Sequence, residues 1–172
     1  SLSATQTLLV VVRNSSPDFT VSLGTTNVFA GQSSSVPLRL SAGVPLASAS
    51  FVLETPENLV TNLVLEPLAP EIGSASLQAE GGGRFGLSLE ASANASLQGL
   101  DTVARLRFSA ISNGPSAIAV LRPVSVSGSL HDGTALRGGR SVEGRVFIIA
   151  REPLLDAAMA SGTRALTLYG QP

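Results

Sequence analysis

The chain has 172 residues and a formal net charge of −1; it has no cysteine, no tryptophan and one histidine, and its eleven basic residues are all arginine. Without cysteine there is no disulfide scaffold and no thiolate metal site, and without lysine there is no Schiff-base chemistry and no P-loop. Charged residues make up 13 % and hydrophobic ones 44 %, so there is no basic footprint for nucleic acid but ample apolar material for one core.

The dominant period along the chain is two. Ser1–Asn14 contains the longest apolar run, Leu8–Val12, which is far short of a membrane span. It reads as a linker or as a closing strand of something upstream. Alternation of apolar and polar residues then marks Phe19–Leu23, Val36–Leu40, Phe51–Glu54 and Leu63–Glu66, followed by Phe85–Glu90, Ala104–Ser109, Val124–Ser127 and Val142–Ile149. Gly, Pro, Asn and Asp fall between these runs at intervals of about ten residues, the spacing of an antiparallel sandwich. Examples are Ala30-Gly31-Gln32, Gly81-Gly82-Gly83, Asn113-Gly114-Pro115 and Asp132-Gly133, the last a two-residue hairpin signal. The only segment with helical character is Pro153–Ala160, with Pro in its first turn and Gly162 after its end. Ala165–Tyr169 reads as a first strand of something downstream.

The expected organisation is therefore a linker or closing strand over residues 1–17, an all-β antiparallel sandwich of jelly-roll type with about nine strands over 18–150, and a short helix or linker leading to a downstream module over 151–172. Its core is expected to hold Val21, Leu23, Val36, Leu38, Leu40, Phe51, Leu53, Leu65, Phe85, Leu87, Leu89, Leu106, Phe108, Ile118, Val120, Val146 and Ile148.

Chemistry-bearing patterns are weak. Gly81–Gly86 matches G-x-G-x-x-G, but an alternating strand follows where a dinucleotide site needs a helix, so it reads as a hairpin loop. His131 and Asp132 are sequence neighbours, which on a strand point to opposite faces, and no G-x-S-x-G elbow supplies a serine. The carboxylates are scattered singly, and no EF-hand loop is present. No catalytic residue, metal ligand or cofactor is expected. A flat sugar platform needs coplanar Trp and Tyr, and the single tyrosine is Tyr169, so carbohydrate binding is disfavoured.

The order of features resembles the cohesin family. Val21-Ser22-Leu23-Gly24, then Phe29-Ala30-Gly31-Gln32, then Ser35–Leu40 with Val-Pro inside it, is similar to the opening of cohesin modules. Ala47–Glu54 stands where cohesins carry their third strand, and Pro56–Val60 resembles the turn that follows. Thr102–Ala110 looks like a late cohesin strand, and Asp132-Gly133 with Val142–Ile149 closes the pattern. The resemblance covers roughly Phe19 to Ala150. It rests on turn and core patterns that related carbohydrate-binding sandwiches share, and Glu54-Thr55 departs from the family's Tyr-Asp.

The resemblance implies a non-catalytic module of a multimodular extracellular bacterial protein, docking a dockerin-type partner that itself binds calcium. The alternatives are a structural spacer β-sandwich domain of a surface protein, or a carbohydrate-binding module. The resemblance also implies a partner face on one sheet. By parity that face holds Ser50, Val52, Glu54, Gln78, Arg84, Ser88 and Glu90, with Ala119 and Leu121 if Ile118 and Val120 point inward.

Overall fold

A computed structural model of the chain describes residues 17–150, apart from 100, 113 and 137. The elements expected at Ser1–Asn14, Pro153–Ala160 and Ala165–Tyr169 lie outside the described residues. Those described form twelve strands and no helix. They are β1 (Phe19–Leu23), β2 (Thr25–Phe29), β3 (Ser33–Ala42), β4 (Leu46–Glu54), β5 (Val60–Pro67), β6 (Ile72–Gly81), β7 (Arg84–Ala91), β8 (Thr102–Ala110), β9 (Ala117–Leu130), β10 (Ala135–Leu136), β11 (Gly139–Val142) and β12 (Gly144–Ile149). One sheet runs β11-β1-β3-β8-β5. The other runs β2-β12-β9-β4-β7-β6, with β10 paired to β9.

The alternation predicted from sequence is what joins the sheets. Phe19, Val21 and Leu23 of β1, Val36, Leu38 and Leu40 of β3, and Leu106 and Phe108 of β8 point into the sandwich from one side. Ala49, Phe51 and Leu53 of β4, Leu87 and Leu89 of β7, and Val146 and Ile148 of β12 meet them from the other. Among the described residues no polar or charged side chain is buried, so the core is held by apolar burial alone, about 1.5–3 kcal/mol for each large side chain. The Phe19 ring lies against Gly128 and Gly139, where an added Cβ would come within 3.0 and 2.7 Å of it. Those two glycines make room for the largest side chain at that end.

Two pairs of strands are single runs broken at a corner. β1 passes into β2 at Gly24, and β11 passes into β12 at Glu143, so both runs cross from one sheet to the other at the same level. They travel side by side and parallel: Phe19 pairs with Gly139 in the first sheet, and Ile149 with Phe29 in the second. Counting each run once, and β10 as the return of β9, recovers the expected nine strands. The corner is tight. Gly24 N donates to the Pro37 carbonyl (2.9 Å), and a Cβ on Gly144 would lie 2.6 Å from both the Gly24 oxygen and the Leu23 Cβ.

Three sequence expectations are corrected. Ile118 is 55 % exposed and Val120 only partly buried, while Ala119 and Leu121 are buried at 0 % and 1 % exposure. The cause is a β-bulge. Ser50 and Val52 of β4 oppose Ser127 and Val124, leaving one extra residue on β9, and Ser125 takes up a φ of 53°. Even-numbered residues face inward after the bulge and odd-numbered ones before it, so parity carried back from Val126 fails at Ile118. Leu65 and Phe85 are half-buried at the margin of the core. The Asp132-Gly133 turn is wider than a two-residue hairpin, since Leu130 N donates to the Thr134 carbonyl. Asp132 accepts the Thr134 amide proton (2.9 Å), which holds its carboxyl below the usual range. The turn's contribution is thus complete above the ordinary carboxylate pKa and is lost as pH falls through the depressed value.

The corner predicts a contrast between two glycines. Gly144→Ala forces backbone apart and should lower unfolding free energy by about 1–3 kcal/mol, as overpacking does. Gly114→Ala, which meets nothing within 4 Å, should leave it unchanged. Urea denaturation of both variants checks this.

Candidate functional site

The outer face of the second sheet carries the residues picked out by parity. Ser50, Val52 and Glu54 project from β4, Arg84, Ser88 and Glu90 from β7, and Gln78 from β6; all seven lie on one face. Ala119 and Leu121 do not join them, because the bulge at Ser125 turns both into the core. In their place β9 presents Ile118, Val120 and Arg122 before the bulge, and Ser127 and Ser129 after it.

Register arranges this face in rows across β9, β4, β7 and β6. One row reads Ser127, Ser50, Ser88, Ser76, and the next reads Ser129, Ser48, Glu90, Ser74. A third reads Val124, Val52, Gly86, Gln78. Ser50 and Ser127 share a hydrogen bond of 2.8 Å, as do Ser48 and Ser129, and Ser74 Oγ donates to Glu90 Oε2 at 2.9 Å. Short side chains whose hydroxyls already pair lose little when a partner displaces their water. At the centre Gly86 leaves a shallow open depression lined by Ser50, Val52, Ser76, Gln78 and Ser88. A Cβ on Gly86 would crowd the Glu80 carboxylate, at 2.8 Å, and meet the Gln78 carbonyl at an ordinary 3.9 Å.

The fourth row is a charged belt. Arg84 bridges Glu54 (3.1 Å) and reaches Glu80 (3.9 Å), while Glu143 pairs with Arg145 (3.0 Å) and Arg122 (3.9 Å). Three arginines and three glutamates thus neutralise one another across the sheet. Each exposed pair is worth no more than about 1 kcal/mol. The belt itself is thus neutral, while Glu90, which accepts from Ser74, leaves a negative charge on the serine side of the face.

The remaining candidates are structural. Gly81, Gly82 and Gly83 form the β6–β7 turn with φ of 87°, 61° and 72°, and the Gly83 amide donates to Glu57 Oε1 at 2.6 Å. His131 is exposed, and its Nε2 hydrogen-bonds the Ala95 carbonyl (2.8 Å) rather than Asp132. Glu66 pairs with Arg107 on the other sheet (2.8 Å), and this contact raises the Arg107 pKa. Among the described residues no group of three or more His, Asp or Glu is placed to hold a metal ion.

No protein-family model matches the chain, and no curated protein matches it. Its fold is nevertheless similar to solved cohesin modules. A type I cohesin from Clostridium thermocellum, solved in complex with a dockerin, superposes with a TM-score of 0.67 at 12 % identity, covering 83 % of this chain and 100 % of that one. The cohesin module of a family 33 glycoside hydrolase from Clostridium perfringens gives 0.68 at 11 % identity, covering 79 % and 100 %. A non-cellulosomal cohesin from the archaeon Archaeoglobus fulgidus gives 0.61 at 17 % identity, covering 81 % and 97 %. The chain thus has the β-sandwich jelly-roll fold of these cohesin modules.

Two neighbours on β9 test the assignment of faces. Val120→Arg should fold with nearly unchanged stability. Leu121→Arg puts an unpaired charge in a dry core and should cost more than about 4 kcal/mol, or abolish folding. Circular dichroism melts of the two variants distinguish them.

Proposed function

We propose that this chain is a non-catalytic interaction module that docks a dockerin-type partner through the serine-rich outer face of β9, β4, β7 and β6. The observation that carries the reading is the character of that face: open, rich in serine, internally hydrogen-bonded and crossed by a neutral belt of ion pairs. Such a surface suits a partner brought flush against it and is cheap to dehydrate. The fold supports the same reading, because a cohesin of this architecture has been solved in complex with a dockerin. Val52 is the apolar anchor at the centre, Gly86 provides the depression beside it, and Ser50, Ser88 and Gln78 surround them. Glu54, Arg84 and Glu90 form the polar rim. We place the module in a larger extracellular protein, where dockerins and their calcium are found.

A spacer role is the second reading, favoured by one observation. The first strand begins at the pole of the sandwich opposite the one where the last ends, no more than about 33 Å away over the ten residues from Phe19 to Phe29. The chain can therefore pass straight through the domain.

Titrating the full chain with calcium-loaded dockerin modules encoded by the same organism decides between them. Docking should vanish in EDTA, because the partner unfolds without its metal, and should depend little on salt, because the belt is neutral. Val52→Arg and Gly86→Gln should each weaken it at least about tenfold, the loss of one central contact, with no change in melting temperature. Unaltered affinity in both variants would move the interface elsewhere; no binding to any dockerin would favour the spacer.

A further inference from the structure

The second sheet ends at β6 in a free edge. β6 pairs with β7 alone, and no other described segment bonds to its backbone between Ser74 and Glu80. Alternate backbone N–H and C=O groups along that run therefore point away from the sheet. Proteins blunt such edges with short strands, lysine or proline. β6 has ten residues and neither lysine nor proline. Its two bulges lie near its ends, at Gly73 and Glu80, so Ser74–Ala79 is a regular run. The opposite edge differs. β2 is five residues long, and Thr26 Oγ1 is tied to Ser34 Oγ of β3 at 3.2 Å. The last strand, β12, lies four strands from β6, about 19 Å across the sheet.

The side chains of β6 make it its own complement. Ala75 and Leu77 are half-buried against the margin of the core, while Ser74, Ser76 and Gln78 are exposed on the outer face. Laid antiparallel against itself about a two-fold axis at Leu77, the strand matches at each position. Leu77 meets Leu77 of the second copy, Ala75 meets Ala79, and Ser76 meets Gln78. Glu80, the one charged residue of the strand, stands opposite Ser74, a hydroxyl donor. No like charges meet, and the apolar margin left half-open at Leu77 is closed. Such self-matching is what a two-fold interface requires, and it stops at two copies.

We propose that two copies of this chain associate through β6, each completing the free edge of the other. The two sheets become one, and their serine-rich faces stand side by side on the same surface. The paired run of seven residues is about 24 Å long. That seam is smaller than a standard protein interface, so the dimer forms reversibly as concentration rises. The inference rests on sheet order and register, not on the dockerin reading.

Sedimentation velocity of the full chain over a concentration series tests this. The unsubstituted chain should pass from monomer to dimer. Ser76→Lys with Gln78→Lys sets like charges opposite one another twice across the seam, and should raise the dimer dissociation constant at least about tenfold. Ser76→Glu with Gln78→Glu should do the same. An equal mixture of the two variants should regain the dimer, because each seam then pairs opposite charges. Both positions are exposed, so neither variant should change its melting temperature. Thr25→Lys with Asn27→Lys on β2 should leave the dimer intact. A chain that stays monomeric at every concentration would overturn the proposal. So would a dimer that survives the lysine pair on β6, a mixture that stays monomeric, or a dimer lost through the β2 pair instead.

Discussion

The structure depends on one constraint: each strand must give every second side chain to a core in which, among the described residues, no polar or charged side chain is buried. A sheet residue cannot serve both faces, so choosing Phe51 and Leu53 for the inside releases Ser50, Val52 and Glu54 for the outside. The outer surface is thereby as ordered as the core. The serine rows across β9, β4, β7 and β6 stay in line because the core residues between them fix the register.

Departures from that rule are few, and they matter. The extra residue at Ser125 reverses the parity of β9 in mid-strand, which sends Ala119 and Leu121 inward and brings Ile118 and Val120 to the surface. One strand of fourteen residues therefore contributes to both territories of the outer face, hydroxyl-rich at one end and apolar at the other, with Arg122 between them. The charged belt divides the two. Its members satisfy one another, so the belt itself directs no net field toward either territory.

Much of this was legible in the sequence. Strong alternation at Phe19–Leu23, Val36–Leu40 and Phe85–Glu90 located strands whose inner and outer residues were assigned correctly, and seven of the nine face residues lie where parity placed them. The failures share a cause. A bulge changes no composition, so Val124-Ser125-Val126-Ser127 reads as unbroken alternation although a residue is inserted within it. The break between β11 and β12 is similarly hidden, because Val142 and Val146 fall on one alternating pattern although the corner at Glu143 leaves Val142 exposed and Val146 buried. The serine rows themselves are products of register, and no single segment announces them. The low charge of the strands, by contrast, is visible in composition and corresponds to the rows of serine on that face.

The parallel pairing of the two terminal runs has a mechanical consequence. The first run leads from the pole where the chain arrives, and the last leads to the pole where it departs. Tension applied through the residues on either side would draw β1 and β2 backward past β11 and β12. The hydrogen bonds of both pairs would then bear load together, in shear, instead of opening one after another as in a peeled hairpin. The corner at Gly24 and Gly144 locks the two runs at their midpoint. A module built this way resists extension along its own axis by the same bonds that close its two sheets.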